Sequence, residues 1–196
     1  MVRRAAGIVA RPGATWRTIR SERVPLVRVL LGYALPLAAI GPLATFVALR
    51  IVGVALPSVG VYRVSPADAS SAAAELFGLA IAGVLVLALC VNVLAPAFGA
   101  QRSFARALRV SAYALTPAWL AGAFRVYPPL GALQLLAALY VVYVLYLGLC
   151  TVLGVSRRAA LPYALAALAA AILCPFVFIV LLANLYSLGA AGRAVL

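Results

Sequence analysis

The sequence predicts an all-α, polytopic integral membrane protein, a bundle of five transmembrane helices with a short amphipathic N-terminal helix. Three observations carry that prediction. Hydrophobic residues make up 67% of the 196 and charged ones only 10%, against about 45–50% and about 25% in an ordinary soluble domain. Charge-free runs recur at lengths that cross a bilayer. The charge itself, +13, comes from 16 arginines set against Glu22, Asp68 and Glu75, with no lysine and no histidine, and it gathers at the ends of those runs.

The first 28 residues form a basic cytoplasmic arm. Its one apolar stretch, residues 5–10, is too short for the h-region of a cleaved signal peptide, so the first span is expected to address the chain to the membrane. On a helix opening near Ala14, Trp16, Ile19 and Arg23 fall at i, i+3 and i+7 with Arg17 and Arg20 on adjacent faces. That pattern suits a helix lying in the headgroup layer.

Crossing the ~30 Å hydrocarbon core takes about 20 helical residues. Five runs are counted as spans within a single membrane domain at 29–192: about 29–49, 76–97, 110–127, 130–154 and 160–186. The third is the shortest. Arg109 and Arg125 flank its charge-free run, Val110 to Phe124, and their stems can lie along lipid while the guanidinium heads reach the interface. Between the first two spans, Ser65-Pro66-Ala67-Asp68 reads as a capping-box start for a helix that leads into span two. No fixed-period repeat is present, and no segment outside the spans is long enough for a globular domain.

Arginines are retained in cytoplasmic segments near span ends. With the N-terminus inside, the inner segments hold seven, three and two of them, twelve in all, and the outer segments hold Arg50, Arg63, Arg125 and Arg193. The expected topology is a cytoplasmic N-terminus and an external tail at 193–196. The same ratio of twelve to four results if the third segment is re-entrant, so the arginines orient the chain without counting its spans.

The residue inventory excludes most chemistry. Three carboxylates and no histidine leave little for general acid–base catalysis or a metal centre, and Cys90, Cys150 and Cys174 stand apart in apolar runs. No span carries the ionisable group that ion-coupled pumps place at membrane depth. The protein is therefore expected to be no enzyme and to need no cofactor. Nucleic acid is not an expected partner, because clustered basic charge without a reading fold is unspecific.

Two groups of residues are candidates for function. Arg17, Arg20, Arg102, Arg106, Arg109, Arg157 and Arg158 are expected to contact anionic lipid on the cytoplasmic side, with Trp16, Phe104, Trp119 and Tyr127 as interfacial anchors. Pro36, Asn92, Tyr113, Thr116, Pro117 and Tyr143 could line an intramembrane groove, since helix breaks free backbone carbonyls that a wet cavity can satisfy. The first group points to a membrane-organising bundle that holds lipid, copies of itself or another membrane protein. The second points to a passive lipid scramblase or small-solute channel.

Residues 96–131, including Pro96-Ala-Phe-Gly-Ala-Gln-Arg-Ser-Phe104, Ala112-Tyr113 and Thr116-Pro117-Ala-Trp-Leu-Ala-Gly122, resemble the bacterial branch of the Yip (Ypt-interacting protein) family. Arg11-Pro12, Thr15-Trp16, Leu31-Gly-Tyr-Ala-Leu-Pro36 and Tyr143 to Gly148 extend the resemblance to most of residues 11–150. It implies five helices, a cytoplasmic N-terminus and an external C-terminus in the bacterial inner membrane. Eukaryotic relatives are associated with Rab-type GTPases, but their Asp-Leu-Tyr-Gly-Pro signature is absent here and that partner is not carried over. Five spans place a reporter fused after Leu196 outside the cell; an inside signal overturns the span count.

Overall fold

The computed structural model describes residues 1–22, 24–56 and 60–193. Arg23 of the arm and the side chains of Asn184 and the tail lie outside that description. The chain opens with two short helices, α1 (Val2–Ala10) and α2 (Pro12–Ser21), where one was expected. Pro12 at the first position of α2 supplies no N–H for α1 to continue, so the chain turns at Arg11. Helix α3 (Leu26–Val52) follows, then an antiparallel hairpin of β1 (Val54–Leu56) and β2 (Gly60–Tyr62) in which Ala55 faces Val61. Helix α4 (Pro66–Phe98) starts on the predicted cap: the Ser65 hydroxyl accepts from the Asp68 amide at 3.1 Å and donates to its carboxylate at 2.7 Å.

Two short helices come next, α5 (Phe104–Ala114) and α6 (Thr116–Ala121), then α7 (Gly131–Leu153) and α8 (Arg157–Arg193). The C-terminal ends of α4 and α7 are closed by Gly99 and Gly154, each at φ +73°, a left-handed cap that costs glycine no steric penalty. Helix α3 is irregular where its prolines are. A wide π turn at Leu30–Ala34 precedes Pro36, which has no N–H to give to the helix ladder.

Among the described residues four helices are long and apolar enough to cross a membrane: α3, α4, α7 and the Arg157–Val177 part of α8. The segment expected as the third span is different in kind. It breaks at Leu115, before Thr116-Pro117, and every residue from Val110 to Ala114 is buried. Helices α5 and α6 therefore form the interior of the bundle. Apolar side chains left exposed on the four long helices, such as Leu31, Leu43, Leu89, Leu139 and Ile172, make the lipid-facing belt.

The bundle closes on small residues and buried tyrosines. Gly41 of α3 and Gly122, just after α6, lie backbone to backbone; a Cβ built on Gly122 would sit 2.8 Å from the Gly41 Cα. Helices in lipid associate through such close approaches, because no hydrophobic force drives them together there. On the other side the buried Tyr163 of α8 donates to the Val91 carbonyl of α4 and stacks on Phe98 at 4.6 Å. Gly122→Ala is expected to lower stability by about 1–3 kcal/mol by overpacking this crossing. Gly83→Ala, where nothing lies within 4 Å, is the control, and thermal unfolding in detergent compares the two.

Candidate functional site

The arm does not lie apart from the bundle. Helices α1 and α2 form a hairpin whose apolar residues Ile8, Trp16 and Ile19 are buried against α5 and α7. The indole of Trp16 reaches α7 where residue 148 is glycine; a Cβ there would come within 2.8 Å of Trp16 Cζ2. Its Nε1 donates to the Val144 carbonyl at 3.1 Å, and its ring meets Tyr113 edge-on at 6.2 Å. At the far end of α1 the Tyr140 hydroxyl of α7 donates to the Val9 carbonyl at 2.8 Å, satisfying a helix-end acceptor.

A polar relay ties the hairpin to the interior. Arg4 donates to both carboxylate oxygens of Glu22, at 2.8 and 2.5 Å, and to the Tyr113 hydroxyl at 2.9 Å. Its guanidinium also lies 5.5 Å from the Tyr113 ring centroid, within cation–π range. Burial works against the charge on Arg4, but the Tyr113 and Glu22 hydrogen bonds and charges win and hold its pKa above the usual arginine value. Deeper in, the single hydrogen of Thr116 goes to the Tyr113 carbonyl at 2.7 Å, so Tyr33 must be the donor in its 2.7 Å bond to Thr116. Arg109 makes a long contact of 3.5 Å to the Glu22 carbonyl, and its buried Nε has no partner among the described residues.

Beside this relay lies a cavity of about 450 Å³, lined by Arg4, Glu22, Arg28, Gly32, Tyr33 and Tyr113 among others. A second, of about 590 Å³, opens between α1 and α2 and shares Arg4 and Glu22. Farther along the bundle, an apolar cavity of about 610 Å³ lies between α4, α6, α7 and α8, with Trp119 in its wall.

Of the predicted arginines, Arg17, Arg20, Arg102, Arg157 and Arg158 are exposed, whereas Arg106 and Arg109 are half-buried. Phe104 and Tyr127 are exposed at 42% and 57%, as interfacial anchors would be, but Trp16 and Trp119 are buried at 0% and 8%. Both tryptophans are packing residues. The expected groove is not assembled either. Pro36 and Tyr143 are exposed, Tyr113, Thr116 and Pro117 are buried, and Tyr113 and Pro117 line different cavities. The Thr116 hydroxyl is taken up by the Tyr113 carbonyl and by Tyr33. Sequence reasoning missed Arg4, Glu22, Arg28 and Tyr33. The available signal was Glu22 itself, the one carboxylate in the first 67 residues, which had only arginines to pair with.

Among the described residues no cluster of His, Cys, Asp or Glu could hold a metal ion. A basic, helical integral membrane protein with its arm folded into the bundle is the class these features define. The sequence model of the Yip1 domain matches residues 6–179, and the chain belongs to that family. It is 24% identical over 186 residues to the inner membrane protein YohC of Escherichia coli K12, covering 93% of this chain and 95% of that protein. The protein of the same name from E. coli O6:H1 strain CFT073 matches to the same extent. No solved structure matches the chain.

If the indole anchors the hairpin, Trp16→Ala removes about 3–5 kcal/mol of packing. Tryptic cleavage at Arg17 and Arg20 in detergent should then speed up while cleavage at Arg157–Arg158 stays constant; equal rates at all sites refute the anchoring role.

Proposed function

We propose that this Yip-family protein is a non-enzymatic membrane organiser of the bacterial inner membrane that gathers anionic lipid at its cytoplasmic face. The proposed topology is a cytoplasmic arm, five crossings with α5–α6 as the third, and an external C-terminus. The twelve-to-four arginine distribution supports the cytoplasmic arm, and the relatives' names support the inner-membrane location.

One observation carries the reading. Arg17 and Arg20 of the docked hairpin, Arg102 of the α4–α5 loop and Arg157 and Arg158 at the start of α8 are all exposed at one end of the bundle. They have no acid to neutralise them: Arg4–Glu22 is the single ion pair among the described residues. Exposed guanidinium groups near an anionic surface contribute about 1 kcal/mol each. The passive-conduit reading has no comparable support, since the residues that would line its path do not converge.

Exchanging Arg17, Arg20 and Arg102 together for glutamine tests the proposal without touching the packed core. Selectivity for spin-labelled phosphatidylglycerol over phosphatidylcholine in reconstituted membranes should fall by about fivefold or more at low salt. The difference should shrink at 1 M salt, where the Debye length is about 3 Å. Selectivity unchanged by the triple substitution refutes the proposal.

A further inference from the structure

The 450 Å³ cavity at the base of the hairpin has a chemistry of its own. Its size falls inside the ~300–1,000 Å³ range of small-ligand sites. Two guanidinium groups, Arg4 and Arg28, face one carboxylate, Glu22. Glu22 already offsets Arg4, whereas Arg28 has no hydrogen bond or ion pair among the described residues. The wall also holds a donor in waiting. Tyr113 is only 2% exposed and its oxygen accepts from Arg4, yet its own hydroxyl hydrogen meets no acceptor among the described residues. A buried polar group left unmatched in this way is costly unless a ligand completes it.

The surroundings say what kind of anion fits. Arg28 and Gly32 lie one turn apart on α3, and the missing side chain at Gly32 leaves the cavity open along that helix. Immediately beside them Val27 and Leu31 are 65% and 59% exposed, in the lipid-facing belt. A cationic pocket whose lining residues Arg28 and Gly32 neighbour exposed apolar positions on the same helix suits a ligand with an anionic head and a hydrocarbon tail.

We infer that this cavity binds the phosphate of one anionic phospholipid between Arg28 and the Tyr113 hydroxyl, with the acyl chains leaving along Val27 and Leu31. The inference rests on the lipid-gathering reading above and deepens it, turning a general attraction into one discrete site. Phosphate oxygens are acceptors only, so they match the unbonded guanidinium and the free phenolic hydrogen, and a charge-assisted bond forms at each.

Native mass spectrometry of the full chain, released from nanodiscs of phosphatidylethanolamine and phosphatidylglycerol, tests it. The wild type should retain one phosphatidylglycerol per chain. Arg28→Gln, at an exposed position, and Tyr113→Phe, which keeps the ring packing, should each lower that occupancy by about tenfold or more. The triple exchange of Arg17, Arg20 and Arg102 should shed loosely held lipid yet keep this one. Occupancy unchanged in both single variants overturns the site, even where the triple variant upholds the general reading. Loss of the retained lipid in the triple variant alone overturns it as well. Displacement by millimolar glycerol phosphate overturns the lipid assignment, because it identifies a site for a soluble phosphate ester.

Discussion

Seating Trp16 requires three conditions at once, and most of the inner half of the molecule follows from meeting them. Residue 148 must lack a side chain, the Val144 carbonyl must have a lone pair to spare, and the Tyr113 ring must stand nearly perpendicular to the indole. A helix carbonyl has two lone pairs, so Val144 can accept from the indole without giving up its place in the α7 ladder. Once the indole is seated, α2 lies along α7 and α1 is brought back over α6, where Tyr140 holds the Val9 carbonyl near its end. The arm is thereby a structural part of the bundle rather than an appendage to it.

Charge then sets the register of the hairpin. The Arg4–Glu22 pair is partly exposed, at 27% and 32%, and a pair of that kind contributes only about 0.2–1 kcal/mol. Its value is geometric. Because Arg4 also donates to Tyr113, the start of α1 and the end of α2 are fixed on the same interior tyrosine, and Tyr33 and Thr116 carry that fixation on to α3 and α6. With Glu22 committed to Arg4, the remaining arginines of the arm have only solvent or membrane anions to meet.

The sequence made much of this legible. The four long apolar helices, the Ser65 cap of α4 and the break at Thr116-Pro117 all follow from rules that act over one or two turns, which a sequence displays directly. The place of α5–α6 and of Trp16 does not. Hydropathy scores an alanine or valine the same whether it faces lipid or another helix, so nothing in Val110 to Ala114 announces that they form the interior. Trp16 is ambiguous for a related reason: an amphipathic indole beside arginines fits a lipid interface as well as a glycine notch. Only Gly148, 132 positions away in the chain, separates the two, and nothing local connects them. The groove residues were misread for another long-range reason: the Thr116 hydroxyl is taken up by Tyr33 and by the Tyr113 carbonyl, and no local pattern announces the pairing of Thr116 with Tyr33.

Docking also decides what the arm can offer a membrane. A free amphipathic helix holds lipid by two means, burying its apolar face in the acyl boundary and setting its basic face among the headgroups. Here the first is already used. Ile8, Trp16 and Ile19 are spent on α5 and α7, and the side chains left outward on the hairpin include Arg3, Arg11, Arg17 and Arg20. Attraction through such a face is electrostatic, so it weakens with salt and is indifferent to curvature or packing defects, which an inserting apolar face would sense. Apolar and cationic surfaces meet beside a cavity at the start of α3, where Val27 and Leu31 neighbour Arg28. Lipid that is to be held individually, by head and tail together, has its footing there.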